Sequence, residues 1–169
     1  LVLTPRSTAL IPDSDFIDIS DIDATSRPVD DEIFLIAGYP GTKRKKLPAA
    51  GVLEVGFYPA LAVSRPRSDY DELRLNPDHH LLLGFSKKRM WRRGVRIIAP
   101  DVYEMSGCGV WAIGEPDGTL FERPRLMSLL IGGRSAGSVP VLQTTRMSVV
   151  MAGVGAALRS LRDANAGSG

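Results

Sequence analysis

Cysteine and histidine are scarce in these 169 residues: Cys108 is the single cysteine, and His79 and His80 are the two histidines. A lone thiol excludes a disulfide scaffold. One thiol, an adjacent histidine pair and scattered aspartates offer no ligand spacing, so neither a metal nor another cofactor is expected. A phosphate-cradling glycine loop is missing too, since Gly132-Gly133 and Gly107-x-Gly109 lack the strand-to-helix context. No apolar run approaches the ~18 residues of a membrane span, and no membrane association is expected. The most apolar stretch, Met147 to Leu158, is followed by Arg159 and Arg162. The chain opens at Leu1 with no methionine and no signal-peptide pattern, which predicts a processed chain or a piece of a longer one. Together with the single thiol, this favours a reducing, cytoplasmic setting.

What remains is 44% hydrophobic, 24% charged and +2 in net charge, the profile of one globular domain with a real core. Charge is unevenly spread. Asp13, Asp15, Asp18, Asp21, Asp23, Asp30, Asp31 and Glu32 surround a single Arg27. Basic clusters follow at Lys43-Arg44-Lys45-Lys46 and at Lys87-Lys88-Arg89 with Arg92, Arg93 and Arg96. These read as solvated, charged loops. A phosphate-tracking stripe would need both clusters on one face with aromatics for base stacking, and Trp91 is the one cue for it. The near-neutral balance and the lack of a recognition motif argue against a nucleic-acid partner.

Short apolar segments bounded by turn residues predict strands. They lie at Glu32–Tyr39, within Gly51–Ser64 with a break near Pro59, at His79–Phe85, Val95–Ala99, Val110–Ile113, Arg125–Ile131 and Val139–Gln143. The turn-rich Glu115-Pro116-Asp117-Gly118 joins the fifth and sixth as a hairpin. Strands at this spacing indicate a barrel or sandwich. One helix stands out at the C-terminus, with Thr144 or Thr145 as its N-cap and Met147, Val150, Met151, Val154, Leu158 and Leu161 at helical spacing. Gly153 and Gly155 weaken it by ~1 kcal/mol each, so core packing of that stripe is the expected support, ahead of a partner-binding face. The last residues, 164–169, read as a disordered tail.

The stretch that suggests chemistry is Met105-Ser106-Gly107-Cys108-Gly109-Val110-Trp111. A nucleophilic serine needs its hydroxyl on an exposed, tightly turned backbone, with N–H groups aimed at the oxygen of a tetrahedral intermediate. Small residues after Ser106 permit that turn and a close approach by substrate. Alone this pattern is common; its surroundings add to it. In order along the chain, Ile36-Ala37-Gly38-Tyr39-Pro40-Gly41, the Ser106 segment, Leu126-Met127-Ser128-Leu129-Leu130-Ile131-Gly132 and the Thr144-Thr145-Arg146 start of the helix resemble the C-terminal part of a bacterial trypsin-like (chymotrypsin-fold) serine peptidase. The nucleophile segment of that family commonly reads Gly-Met-Ser-Gly-Gly-Gly-(Val/Ile)-Trp.

The resemblance implies a mainly β fold: a six-stranded antiparallel barrel over 31–143, the second half of a chymotrypsin-like fold, with one helix over 144–163. It implies that 1–30 holds an acidic inter-barrel link and, at Leu1–Arg6, the end of a preceding strand. Ser106 takes the nucleophile position, and the backbone N–H groups of Glu104 and Ser106 line the oxyanion hole. Glu104 and Cys108 stand where the family has glycine, and Glu104 puts a carboxylate beside developing negative charge. Trp111 reads as core more than as substrate contact. The family's histidine and aspartate precede the serine, whereas His79 and His80 fall inside the second barrel, on opposite faces of one strand. The expected activity is therefore acyl-transfer hydrolysis of polypeptides in a protein that also supplies those two groups, with the present chain inactive. The alternative is a degenerate peptidase fold that binds a protein partner.

Overall fold

The computed structural model describes residues 17–27, 29, 32–38, 44–47, 52–55, 58–85, 90–92, 95–98, 105–115 and 117–166, with 44–47, 52–55, 90–92 and 95–97 described by backbone alone. Segment Leu1–Arg6, the Tyr39–Gly41 turn, Glu104 and the side chains of both basic clusters lie outside these residues.

Alternating burial writes the fold strand by strand. In β1 (Ile33–Gly38) Phe34, Ile36 and Gly38 point inward, and in β8 (Gly109–Gly114) Val110, Ala112 and Gly114 do the same. The period of two follows from the pleat, which sends successive side chains to opposite faces. β4 (Tyr58–Ser64) turns Ala60 and Ala62 inward and leaves Leu61 and Val63 exposed. These strands close with β5 (His80–Gly84), β9 (Leu120–Ala136) and β10 (Val139–Arg146) into an antiparallel barrel of order β1-β4-β5-β10-β9-β8. Two hairpins stand apart from it, β2 (Arg44–Leu47) with β3 (Val52–Val55) and β6 (Met90–Arg92) with β7 (Val95–Ile97). The chain is thus mainly β, a closed six-stranded barrel with a C-terminal helix.

Phe34, Ile36, Leu81, Leu83, Val110, Met127, Leu130 and Leu142 fill the interior at no more than 1% exposure. Each such side chain contributes about 1.5–3 kcal/mol on leaving water. Segment 51–64 holds two strands, β3 and β4, in line with the expected break near Pro59, but the proline itself does not divide β4. Pro59 sits inside β4 opposite Ala37, and the register pairs of β4 with β5 fall at Val63 and Ser64, so no ladder bond to β5 is recorded at Pro59. The second face of β5 is also covered. Leu82 packs with Tyr70, Ala136 and Val141 beneath a short helix, α1 (Arg67–Leu73), which the apolar spacing does not reveal because its seven residues are mostly polar.

β9 is 17 residues long, about 55 Å at the ~3.3 Å rise of a strand. It bends around the barrel through register shifts. Met127 is the extra residue against β8, and Ile131 is the extra residue against β10. Such bulges raise the local twist that closure requires.

The C-terminal helix differs from its expected form in three respects. Thr144 and Thr145 do not cap it: they continue β10, opposite Leu81 and His80, and the buried Thr144 hydroxyl donates to the Leu81 carbonyl at 2.9 Å. The helix, α2, spans Met147–Ala166 and so runs into the residues expected as tail. Its apolar stripe is not core. Met147 is its one buried residue, while Val154, Leu158 and Leu161 are 47%, 52% and 61% exposed. The strands, with Val29, Phe85 and Met105 from the adjoining segments, fill the barrel; on α2, Val150 and Met151 are half-buried and the stripe beyond them is exposed.

Candidate active site

Ser106 stands at the mouth of the barrel, three residues before β8. The Cys108 amide donates to the Met105 carbonyl at 3.0 Å, closing a turn whose central residues are Ser106 and Gly107. Gly107 has φ +92°, the left-handed value that a type II turn needs at its third residue. A Cβ there would find open space, so the glycine is required by backbone angle and not by crowding. Met105 before the turn is buried in the core, whereas Ser106 and Gly107 face solvent.

The turn is tied to β9 at its bulge. The Gly107 amide donates to the Leu130 carbonyl at 2.7 Å, and the Leu130 amide returns a bond to the Cys108 carbonyl at 2.9 Å. The Ser106 hydroxyl donates to the carbonyl of Ile131 at 3.3 Å. Ile131 is the residue that the register shift leaves without a partner on β10, which turns its carbonyl to this use. Beyond it, β9 residues 132–136 pair with β10 on one side, while pairing with β8 stops at Leu129. The other edge of β9 next to Ser106 therefore carries no ladder partner among the described residues.

Behind the turn, Gly38 and Cys108 share one space. A Cβ at Gly38 would lie 2.0 Å from the Cys108 Sγ and 2.9 Å from its Cβ, far inside contact distance. The thiol side chain thus fills the room over the last residue of β1, and the two positions must be read together. Trp111 is not an interior residue: it points to the outer face of β8, half-buried, with its indole across Gly109.

The histidines are not brought to Ser106. His79 is exposed in the turn before β5. His80 Nδ1 lies 3.1 Å from the Thr144 carbonyl and 3.5 Å from the Gln143 side-chain nitrogen, so its contacts are to β10. No described histidine hydrogen-bonds Ser106. Among the described residues no group of three or more His, Cys, Asp or Glu side chains could hold a metal ion, and no helix is long and apolar enough to cross a membrane.

The acidic run has a structural use at the other end of β1. Residues 19–23 lie along β9, with Ile22 bridged to Leu126 and the Asp23 amide donating to the Leu126 carbonyl at 3.0 Å. Asp23 and Glu32 are buried, and both hold Arg27: Nε meets Asp23 Oδ2 at 3.1 Å, and both Nη atoms meet the Glu32 carboxylate. Burial pushes the Asp23 carboxyl up, but the Thr25 hydroxyl and amide and the Arg27 guanidinium outweigh it and hold the group below its ordinary value. Donating to the Glu32 carboxylate holds the Arg27 guanidinium above its ordinary value.

The serine turn was legible from Ser106-Gly107 and the strand after it. The Ile131 carbonyl was not, since a bulge depends on which residues pair across two strands. No protein-family model matches this chain, and no curated protein matches it.

Proposed function

We propose that this chain is the second barrel of a trypsin-like serine peptidase, with Ser106 in the place of the nucleophile. The observation that carries the reading is the Ser106 hydroxyl, exposed on a glycine-dependent turn at the barrel rim and anchored to the bulge of β9. The substrate class is an extended polypeptide. A peptide laid antiparallel or parallel along the unpaired edge of β9 gains backbone hydrogen bonds and brings its carbonyl to the turn. Attack by Ser106 on that carbonyl forms an acyl-enzyme and expels the amine, and water then releases the acid. A base must take the serine proton, and the protein that performs this chemistry supplies a histidine and an aspartate besides the residues described above. The Ser106 and Glu104 amides are the oxyanion donors in this reading.

A fluorophosphonate probe tests it on a protein containing those two groups. Labelling is expected in the parent and lost in Ser106→Ala; equal labelling of both removes Ser106 from the mechanism. The 169-residue chain alone is expected to show no turnover of chromogenic peptides, and robust cleavage by it would place the base elsewhere. The same hydroxyl also favours a second reading. Its described bond goes to a backbone carbonyl and to no histidine, which suits a barrel that binds an extended peptide without cutting it. Peptide binding that persists in Ser106→Ala, with no probe labelling of the parent, selects that reading.

A further inference from the structure

Arg146, the last residue of β10, is 3% exposed. Its Nε donates to the Pro77 carbonyl at 2.7 Å and lies 3.3 Å from the His80 carbonyl, and its Nη1 donates to the Arg27 carbonyl at 3.1 Å. These bonds use two of its three nitrogens, and all the acceptors are neutral. No carboxylate forms an ion pair with it among the described residues. A buried cation without a counter-charge is costly, because neutral carbonyls replace only part of its lost hydration. Desolvation accordingly lowers this guanidinium below its ordinary value.

A cavity of about 100 Å³ lies beside it, lined among others by Ser26, Arg65, Arg67, Tyr70, Asp78 and Arg146. The charged groups facing it are three guanidinium groups and one carboxylate. Arg65 is held by Asp69 at 2.6 Å, and Arg67, largely exposed, lies 4.0 Å from Asp71. Tyr70, Asp78 and Asp23 act on the charge of Arg146 from a distance, Arg27 opposes them, and none of the carboxylates forms an ion pair with it among the described residues. The Ser26 hydroxyl, within reach of the Asp78 carbonyl and of Ser148, adds a hydroxyl to the rim. The space is partly open to solvent and several times the ~10–15 Å³ of cavity that one water needs, so it admits a small polyatomic anion.

We propose that this cavity is a binding site for a phosphate-type oxyanion, held by Arg146 from within and by Arg65 and Arg67 at its mouth. Planar guanidinium groups suit this ligand, since each offers paired N–H donors to oxygens that share a charge. The site lies by α1 and the start of α2, and it does not depend on the reading of Ser106.

Calorimetric titration of the 169-residue chain with inorganic phosphate, at ionic strength held constant with chloride, tests the proposal. Saturable binding is expected, weakened about tenfold by Arg67→Ala and by Arg65→Ala, and strengthened by Asp78→Asn. Arg67 is exposed on α1, so its variant folds and keeps the test open even where Arg146→Met does not. A parallel titration with phosphoserine separates the two sources of this chemistry. Binding of phosphate alone assigns the cavity to the free ion, and tighter binding of phosphoserine assigns it to a monoester. Absence of saturable binding by either, or binding that Arg65→Ala and Arg67→Ala leave unchanged, overturns the site.

Discussion

The barrel wall and the C-terminal helix are both patterned in apolar residues, and the structure treats them in opposite ways. Every second residue of β1 and β8 is buried, and Phe34, Leu81 and Leu83 reach zero exposure. Along α2 the stripe Met147, Val154, Leu158, Leu161 is as regular, yet burial ends with Met147. Periodicity reports which conformation a segment takes and which side of it is apolar. It does not report what that side meets. A closed barrel satisfies its own strands, because each inner face is the partner of the others, whereas a terminal helix depends on whatever surface lies alongside.

The contrast is open to direct attack by denaturant unfolding. Phe34→Ala opens a cavity in the barrel interior and is expected to cost about 3–5 kcal/mol. Gly38→Ala drives a methyl into the Cys108 side chain and is expected to cost about 3 kcal/mol. The clash has a single cause, so the double variant Gly38→Ala with Cys108→Gly should recover most of the loss; no recovery would mean that the backbone of β1, and not the thiol, sets the limit. Gly107→Ala puts a side chain at φ +92° and is expected to lose about 1–2 kcal/mol, with Ser106 displaced from Ile131.

Asp23 gives the comparison a pH axis. Its folded pKa lies below the ordinary 3.8, so its contribution is present above that value and is lost as the pH falls through the lower folded one. Asp23→Asn should therefore be less stable than the parent by about 1–2 kcal/mol at pH 7, a buried-pair loss reduced because Arg27 is partly exposed. The gap should close as the pH is lowered beneath 3.8. Smallest of all, Leu158→Ala on α2 should change stability by less than ~0.5 kcal/mol. A loss as large as that of Phe34→Ala would show that the stripe is covered in solution and would erase the contrast.

Legibility in the sequence followed the range of the interaction. Short apolar segments bounded by turn residues place β1, β5, β8 and β10 to within a few positions, because strand preference and turn backbone angle are local properties. Ser106-Gly107 is legible for the same reason. Thr144 and Thr145 mislead, since a threonine before an apolar run caps a helix as readily as it ends a strand; the ladder with β5 decides between the two, and that pairing spans more than 60 residues. The Arg27 pairing with Asp23 and Glu32 is hidden inside what composition presents as a solvated acidic run. Ile131 is hidden more deeply, since only the joint register of β9 and β10 marks it as the odd residue.

That register reaches the chemistry itself. Leu130 seals the interior while its carbonyl holds Gly107, and the carbonyl of its neighbour Ile131 accepts the hydrogen bond of the Ser106 hydroxyl. Sliding β9 by one step would turn Leu130 toward water and carry the acceptor out of reach in the same motion. The turn is therefore placed by the wall itself: its backbone bonds to Leu130 fix where the exposed Ser106 side chain starts, while that side chain keeps its own rotamer freedom.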